Sequence, residues 1–292
     1  MKRSTAYFIM TLASVFWGFQ PSTIKWLTEV WSPVTIAAVR YFCFGVLIIA
    51  WAYKKYGKEA LPQKEHWPYL VGMGISGILF NNVLQFTGLK YTTITNCTLI
   101  SSMTPSLTAV ASVLVFKERL RAVTWLGIII SLAGALMIVC RGSLEVLLNL
   151  DINKGDLMAF GSQVAWMVYS ILGVKVLKSF SAVATTGWAG LIGSIFTMVY
   201  GQITGQLVIT ALTPLPFISL LYTIFCGGIF AMVSWNMSVK VVGASVASIF
   251  LNIMPIVGML SGYLLFAEQI GLPQLTGAAA IFLGVYLVTR RA

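Results

Sequence analysis

Apolar residues along this chain of 292 residues gather into ten blocks of about twenty, separated by short polar stretches. The first five run Thr5–Ile24, Pro33–Tyr53, Trp67–Thr87, Ile94–Phe116 and Ala122–Cys140. The next five run Gly155–Val174, Ser181–Ile203, Pro216–Met237, Ala244–Phe266 and Leu272–Thr289. About twenty residues at 1.5 Å each cross a hydrocarbon layer of ~30 Å as a helix. No water is available there to satisfy backbone amides, so helices are the expected solution, and the short alternating segments of a barrel do not occur. Prolines cluster at block starts (Pro33, Pro68, Pro214, Pro216, Pro273), where a missing N–H costs nothing. Short connections such as Lys117–Arg121 and Gln269–Gly271 make sequential helices antiparallel neighbours. The pattern predicts an all-α polytopic membrane protein of ten transmembrane helices.

The blocks repeat. Adding 150 to the residue number superposes Gly77 on Gly227, Lys90 on Lys240, Pro105 on Pro255, Phe116 on Phe266, Glu118 on Glu268, Gly127 on Gly277, Gly134 on Gly284 and Arg141 on Arg291, without a gap. Helices one and six align less closely, with Trp17 opposite Trp166 after a one-residue slip. The expected organisation is a first five-helix unit over 1–141, an external linker over 142–154 and a second unit over 155–292. Five is odd, so the second unit crosses the membrane upside down, a 5+5 inverted-topology repeat. That architecture belongs to alternating-access carriers with substrate held between the halves.

Composition agrees with the blocks: 58% hydrophobic, 9% charged, mean hydropathy +0.89, against roughly 25% charged in soluble domains. The net charge of +11 is explained by placement rather than by nucleic acid. With the N-terminus cytoplasmic, the inner segments hold Lys2, Arg3, Lys54, Lys55, Lys58, Lys64, Lys117, Arg119, Arg121, Lys175, Lys178, Lys240, Arg290 and Arg291. The outer ones hold only Lys25, Lys90, Arg141 and Lys154. Fourteen against four places both termini inside, in the cell (inner) membrane. The N-terminal run superficially resembles a signal peptide, but it extends to Ile24 and has a counterpart later in the chain, so it is read as a retained helix. The four cysteines stand alone in apolar segments and are read as small hydrophobes; no metal or cofactor spacing occurs. His66, the only histidine, is expected at a solvated surface beside Glu65.

The chain resembles the EamA-type carriers of the drug/metabolite transporter superfamily. The resemblance rests on Ser14-x-x-Trp17-Gly18 with Lys25 following, Pro33 with Arg40, Pro105…Phe116-x-Glu118, and Gly127 with Gly134, the pattern recurring in the second half. It covers almost the whole chain. It implies ten helices in two inverted copies and a central cavity lined mainly by helices one, three, four, six, eight and nine. It further implies export or exchange of small metabolites, often amino acids, across a bacterial inner membrane.

Candidate pathway residues follow from polar helix faces. Gly74, Gly77, Asn81 and Gln85 form one stripe of helix three, and buried amides need a cavity or a partner. Helix four offers Thr98 and Ser102, and helix nine Ser248 and Asn252. Helix one offers Ser14, Trp17 and Gln20, helix six Gln163, Trp166 and Tyr169, and helix eight Trp235. Ser, Thr and Gly at such spacings are also ordinary glue between membrane helices. Whole amides are harder to hide, which favours the cavity for Asn81, Gln85, Gln163 and Asn252. Trp17, Trp166 and Trp235 lie away from the interfaces where tryptophan anchors. Such a pocket suits a small zwitterion or a planar organic solute. Arg40, roughly 10 Å inside helix two, reads either as partner of a substrate carboxylate or as a snorkelling or structurally paired arginine; the family's peripheral second helix favours the latter. Glu118 and Glu268, at helix ends on opposite sides, are expected to neutralise backbone or Lys/Arg groups. Pro105 and Pro255, at corresponding mid-helix places, are hinge candidates, and Gly258-x-x-x-Gly262 is a close-packing motif.

No Asp or Glu lies mid-helix, which disfavours carboxylate-based proton coupling. The leading reading is a monomeric secondary transporter of amino acids or related metabolites. Broad efflux of toxic compounds is the alternative, and a non-transporting assembly or receptor subunit ranks lower. No P-loop, HExxH, GxSxG or paired carboxylates are present, so neither self-contained ATP use nor catalysis is expected.

Overall fold

A computed structural model describes residues 2–104, 106–107, 110–111, 115, 121–140, 142–143, 152–242 and 250–289. Ten helices occur among them: α1 (Arg3–Leu27), α2 (Pro33–Tyr56), α3 (67–88), α4 (Ile94–Ser101), α5 (Ala122–Val139), α6 (Lys154–Val176), α7 (Ala182–Ile203), α8 (214–242), α9 (Ile253–Phe266) and α10 (Leu272–Thr289). The described residues include no strand. The expected linker lies mostly outside them, as do Pro105, Glu118 and Ser248.

Local chemistry sets the helix starts. Pro33 and Pro214 open α2 and α8. The hydroxyl oxygens of Ser32 and Thr93 accept the Thr35 and Asn96 N–H groups at 3.0 Å, and Asn153 Oδ1 accepts from Gly155 N–H at 2.7 Å. Pro33–Ala60 (α2 with the short 3-10 turn after it), Trp67–Gly88, Ala182–Ile203 and Pro214–Trp235 are long and apolar enough to cross a membrane. Ala122–Ile138, Ile253–Phe266 and Leu272–Leu287 are apolar but shorter. Helices α1 and α6 have the length, 25 and 23 residues, but they carry Gln20, Ser22, Asp156 and Gln163, which turn inward.

The burial pattern is that of a protein dissolved in lipid. Phe8, Ile203, Ile218 and Leu264 are each more than 60% exposed, whereas Ser14, Thr35, Ser131 and Thr197 are fully buried. A water-soluble core reverses this arrangement; in hydrocarbon, small hydroxyl residues join helices while apolar side chains face outward.

The halves interlock rather than sit side by side. Helix α1 packs on α8 and α9 of the second half, and the equivalent α6 packs on α3 and α4 of the first. Three helices pack against their own repeat counterparts, α2 on α7, α4 on α9 and α5 on α10. Each of these pairs is antiparallel. Gly45 meets Leu191 while Gly201 meets Val34; Thr98 meets Gly258 while Thr95 meets Gly262. At the α5–α10 seam a methyl on Gly134 would lie 2.7 Å from the Gly277 carbonyl, and the reciprocal distance is also 2.7 Å. These glycines serve backbone approach.

Helices α3 and α8 each contain a π-helical turn, Gly74–Phe80 and Phe225–Phe230, holding the repeat-related Gly77 and Gly227. Helix α4 stops at Ser101 in a turn over Ser102 and Met103, and α9 starts after a turn over Leu251 and Asn252. The two interruptions overlap in the repeat register, Ser102 falling on Asn252. Pro255 therefore occupies the first turn of α9, where helix N–H groups need no intrahelical acceptor, and not the middle of a continuous helix. His66 also departs from expectation: it is 4% exposed. Its Nδ1 accepts from Gln63 N–H at 3.1 Å, Nε2 lies 3.0 Å from Ser179 Oγ, and the ring stacks on Phe180 at 4.7 Å. It ties the connection before α3 to the one after α6.

Candidate functional site

A cavity lies between the halves. Trp17, Gln20 and Pro21 of α1 form one side, with Arg40, Tyr41 and Phe44 of α2 beside them. Helix α3 supplies Asn81, Asn82 and Gln85, and α4 with its following turn supplies Thr98, Ser101 and Thr104. The second half closes the ring with Gln163 and Trp166 of α6, Gly227, Gly228, Met232 and Trp235 of α8, and Leu251 and Met254.

The π turns shape two walls. Widening a helix by one residue per turn frees carbonyls from the regular ladder. In α3, Asn82 Nδ2 donates to the Gly77 and Ile78 carbonyls at 2.9 and 3.1 Å. In α8, the Gly227 carbonyl accepts from Trp17 Nε1–H at 2.8 Å, which fixes the indole edge and leaves its face tilted toward Trp235 at 5.5 Å. Gly227 itself has the Gln20 amide against it, and Gly77 has the Tyr169 ring.

Amides form a linked set. Asn81 Nδ2 donates to the Ser162 carbonyl at 2.8 Å. Gln163 Nε2 donates to Ser101 Oγ at 3.0 Å, Thr104 Oγ1 donates to Gln163 Oε1 at 2.8 Å, and Gln85 Nε2 lies 3.5 Å from Ser101 Oγ. Arg40 is not snorkelling: it is 3% exposed. Its Nε donates to the Thr223 carbonyl at 3.1 Å and Nη2 to Gln20 Oε1 at 2.9 Å. The guanidinium stands over the rings of Tyr41 at 4.8 Å and Phe86 at 6.0 Å. Nη1 is buried and finds no acceptor among the described residues.

Trp17, Gln20, Arg40, Asn81, Gln85, Thr98, Gln163, Trp166 and Trp235 thus share one wall. Ser102, Tyr169 and Asn252 stand outside it. Ser102 Oγ is taken by the Leu99 carbonyl at 2.6 Å, Tyr169 stacks behind Trp166 at 4.7 Å, and Asn252 precedes α9 with its buried Oδ1 unmatched. Ser101 and Thr104 occupy the wall where the sequence suggested Ser102, because the helix ends there and turns. Asn82, Tyr41 and Phe44 were not anticipated either. The signal for Phe44 was Arg40, since i+4 lies on the same helix face as a lining residue; Tyr41, at i+1, carried none.

At the Lys25 end, charged contacts join α1, α4 and the residues after α9. The Glu268 carboxylate accepts from the Ile94 and Thr95 N–H groups at 2.7 and 3.0 Å and from Thr95 Oγ1 at 3.0 Å, with Lys25 Nζ at 3.3 Å. It caps α4 while joining it to α1, as its place at a helix end suggested. Beside it, buried Asp156 takes a short hydrogen bond from Thr92 Oγ1 and longer ones from Asn96 Nδ2. Among the described residues no cluster of His, Cys, Asp and Glu could hold a metal.

The sequence model of the EamA-like transporter family matches residues 4–140 and again residues 153–290. The chain belongs to the EamA-like transporter family. An uncharacterized transporter of Bacillus subtilis, YyaM, is 30% identical over 287 residues, covering 98% of this chain and 93% of the relative. An uncharacterized transporter of Archaeoglobus fulgidus is 25% identical over 288 residues, 99% and 98% of the two chains. A solved crystal structure superposes with a TM-score of 0.69 over 99% of this chain and 98% of its own, at 18% identity, which bears on fold alone. This EamA-like protein is a multi-pass membrane transporter of small molecules, built of two family repeats, and the cavity lies where the repeats meet.

Proposed function

We propose that this protein is a monomeric secondary carrier that moves amino acids or related small metabolites by alternating access. The observation that carries the reading is the cavity between the halves, walled by amides and tryptophans from both repeats. Binding sites in inverted-repeat carriers form at the repeat interface, and the antiparallel packing of α2, α4 and α5 against their counterparts fits two inverted units, 1–141 and 155–292. In this reading the termini are cytoplasmic and Lys25 and Glu268 face outward. The contacts of Glu268, Thr95 and Thr98 then belong to the outer closure of the carrier. The turns before Pro105 and Pro255 are the proposed hinges, because a helix already interrupted bends at little cost.

The test is flux into proteoliposomes holding the purified chain, with labelled amino acids, with and without a pH gradient. Uptake of at least one, reduced by Trp166→Ala or Asn81→Ala, is the expected result. Flux of none, together with resistance of expressing cells to cationic dyes, would move the reading to broad efflux.

A further inference from the structure

Arg40 is the only charged side chain in the cavity wall among the described residues. A buried cation in a membrane protein is held by a counter-charge or by water, and the carboxylates found beside basic groups among the described residues, Glu268 on Lys25 and Glu65 near His66, do not reach Arg40. Its neighbours are neutral. The Thr223 carbonyl and Gln20 amide oxygen occupy Nε and Nη2, and two aromatic rings flank the plane. Those bonds fix the guanidinium between α1, α2 and α8, so a tie between helices accounts for two of its nitrogens. It does not account for the unmatched, buried Nη1.

We propose that Arg40 is the anion-binding element of the cavity and that the transported solute presents a carboxylate to it, a reading that rests on the carrier function above. A planar carboxylate matches the fork of donors on a guanidinium. The rest of the wall offers the flat faces of Trp17, Trp166 and Trp235 and neutral amides. The solute is therefore a small carboxylate with an apolar or planar body, anionic or zwitterionic. Net cations are rejected, because the wall carries a fixed positive charge and, among the described residues, no acidic group.

The full chain in proteoliposomes is assayed with labelled benzoate, pyruvate and phenylalanine, with benzamide as neutral competitor and tetraphenylphosphonium as cation. Thermal stabilisation by the same solutes is read in detergent. Wild-type protein should transport at least one carboxylate, resist competition by benzamide and exclude the cation. Arg40→Gln should lower carboxylate flux at least about tenfold, and Arg40→Lys should restore part of it. Gln20→Glu keeps the hydrogen bond to Nη2 and places a carboxylate beside the guanidinium. It should therefore remove carboxylate binding without lowering thermal stability, which keeps the test open if Arg40→Gln does not fold. Benzamide competing as well as benzoate, wild-type carboxylate flux in either the Gln20→Glu or the Arg40→Gln variant, or flux of the cation alone, would overturn the proposal. Stabilisation by carboxylates that is lost in both variants, with no flux of any solute, would sink the carrier reading and keep the anion site. Neither flux nor stabilisation would overturn both.

Discussion

Two neighbouring asparagines in α3 show how side-chain direction separates roles that look alike in sequence. Asn81 reaches across to α6, whereas Asn82 turns back and caps two carbonyls of its own π turn. Asn82→Leu should leave those carbonyls unpaired in a buried setting, at about 1–3 kcal/mol. The expected readout is a lower melting temperature in detergent, with Asn81→Leu acting more on flux. Equal melting temperatures for Asn82→Leu and wild type would mean that the π turn needs no cap. The amide stripe was legible in the spacing of Asn81 and Gln85, but Asn82 was not, because at one residue along a regular helix it points about 100° away. The π turn changes that geometry.

At the scale of elements, the contact between α4 and α9 is the proposed closure of the Lys25 end. Glu268 holds the first amides of α4 with its charge, and Thr98 lies against Gly258 with no room for a Cβ. Glu268→Gln keeps the shape but weakens two charge-assisted bonds and the pair with Lys25. A loss of about 1–2 kcal/mol is expected, enough to shift the closed end toward opening by about tenfold. Thr98→Cys in a cysteine-free background should then label faster with an impermeant maleimide added outside. An unchanged labelling rate would show that Glu268 does not hold the closure. The element count and the antiparallel order were legible in the ten apolar blocks. The exact breaks at Ser102 and Asn252 were not, since Pro105 and Pro255 marked only an interruption three residues later, and only the hydrogen-bond pattern reveals the turns.

For the whole molecule, the positive-inside asymmetry and the repeat register make a topological prediction. A tag at either terminus should be protected from protease added to intact cells, and a cleavage site inserted in the 142–154 linker should be cut. Cleavage at one terminus alone would break the assignment, because an even number of crossings puts both ends on one side. The interlocked packing has a mechanical consequence as well. Each half donates its first helix to the other's third and fourth counterparts, so motion of one half changes both faces of the cavity together.

Sequence by itself determined what depends on local order and on counting: helical blocks long enough for a bilayer, two copies in register, an apolar exterior and the polar positions that need burial. These follow from periodicity and from the cost of exposing amides or charges to lipid. Tertiary structure decided which polar groups meet. Arg40 is the clearest case. Helix two alone allowed a snorkelling side chain, and only the packing of α1 and α8 against α2 brings Gln20 and the Thr223 carbonyl to it. That packing puts Gly227 against Gln20 and Gly228 against Phe44, pairs so far apart in the chain that no local pattern encodes them.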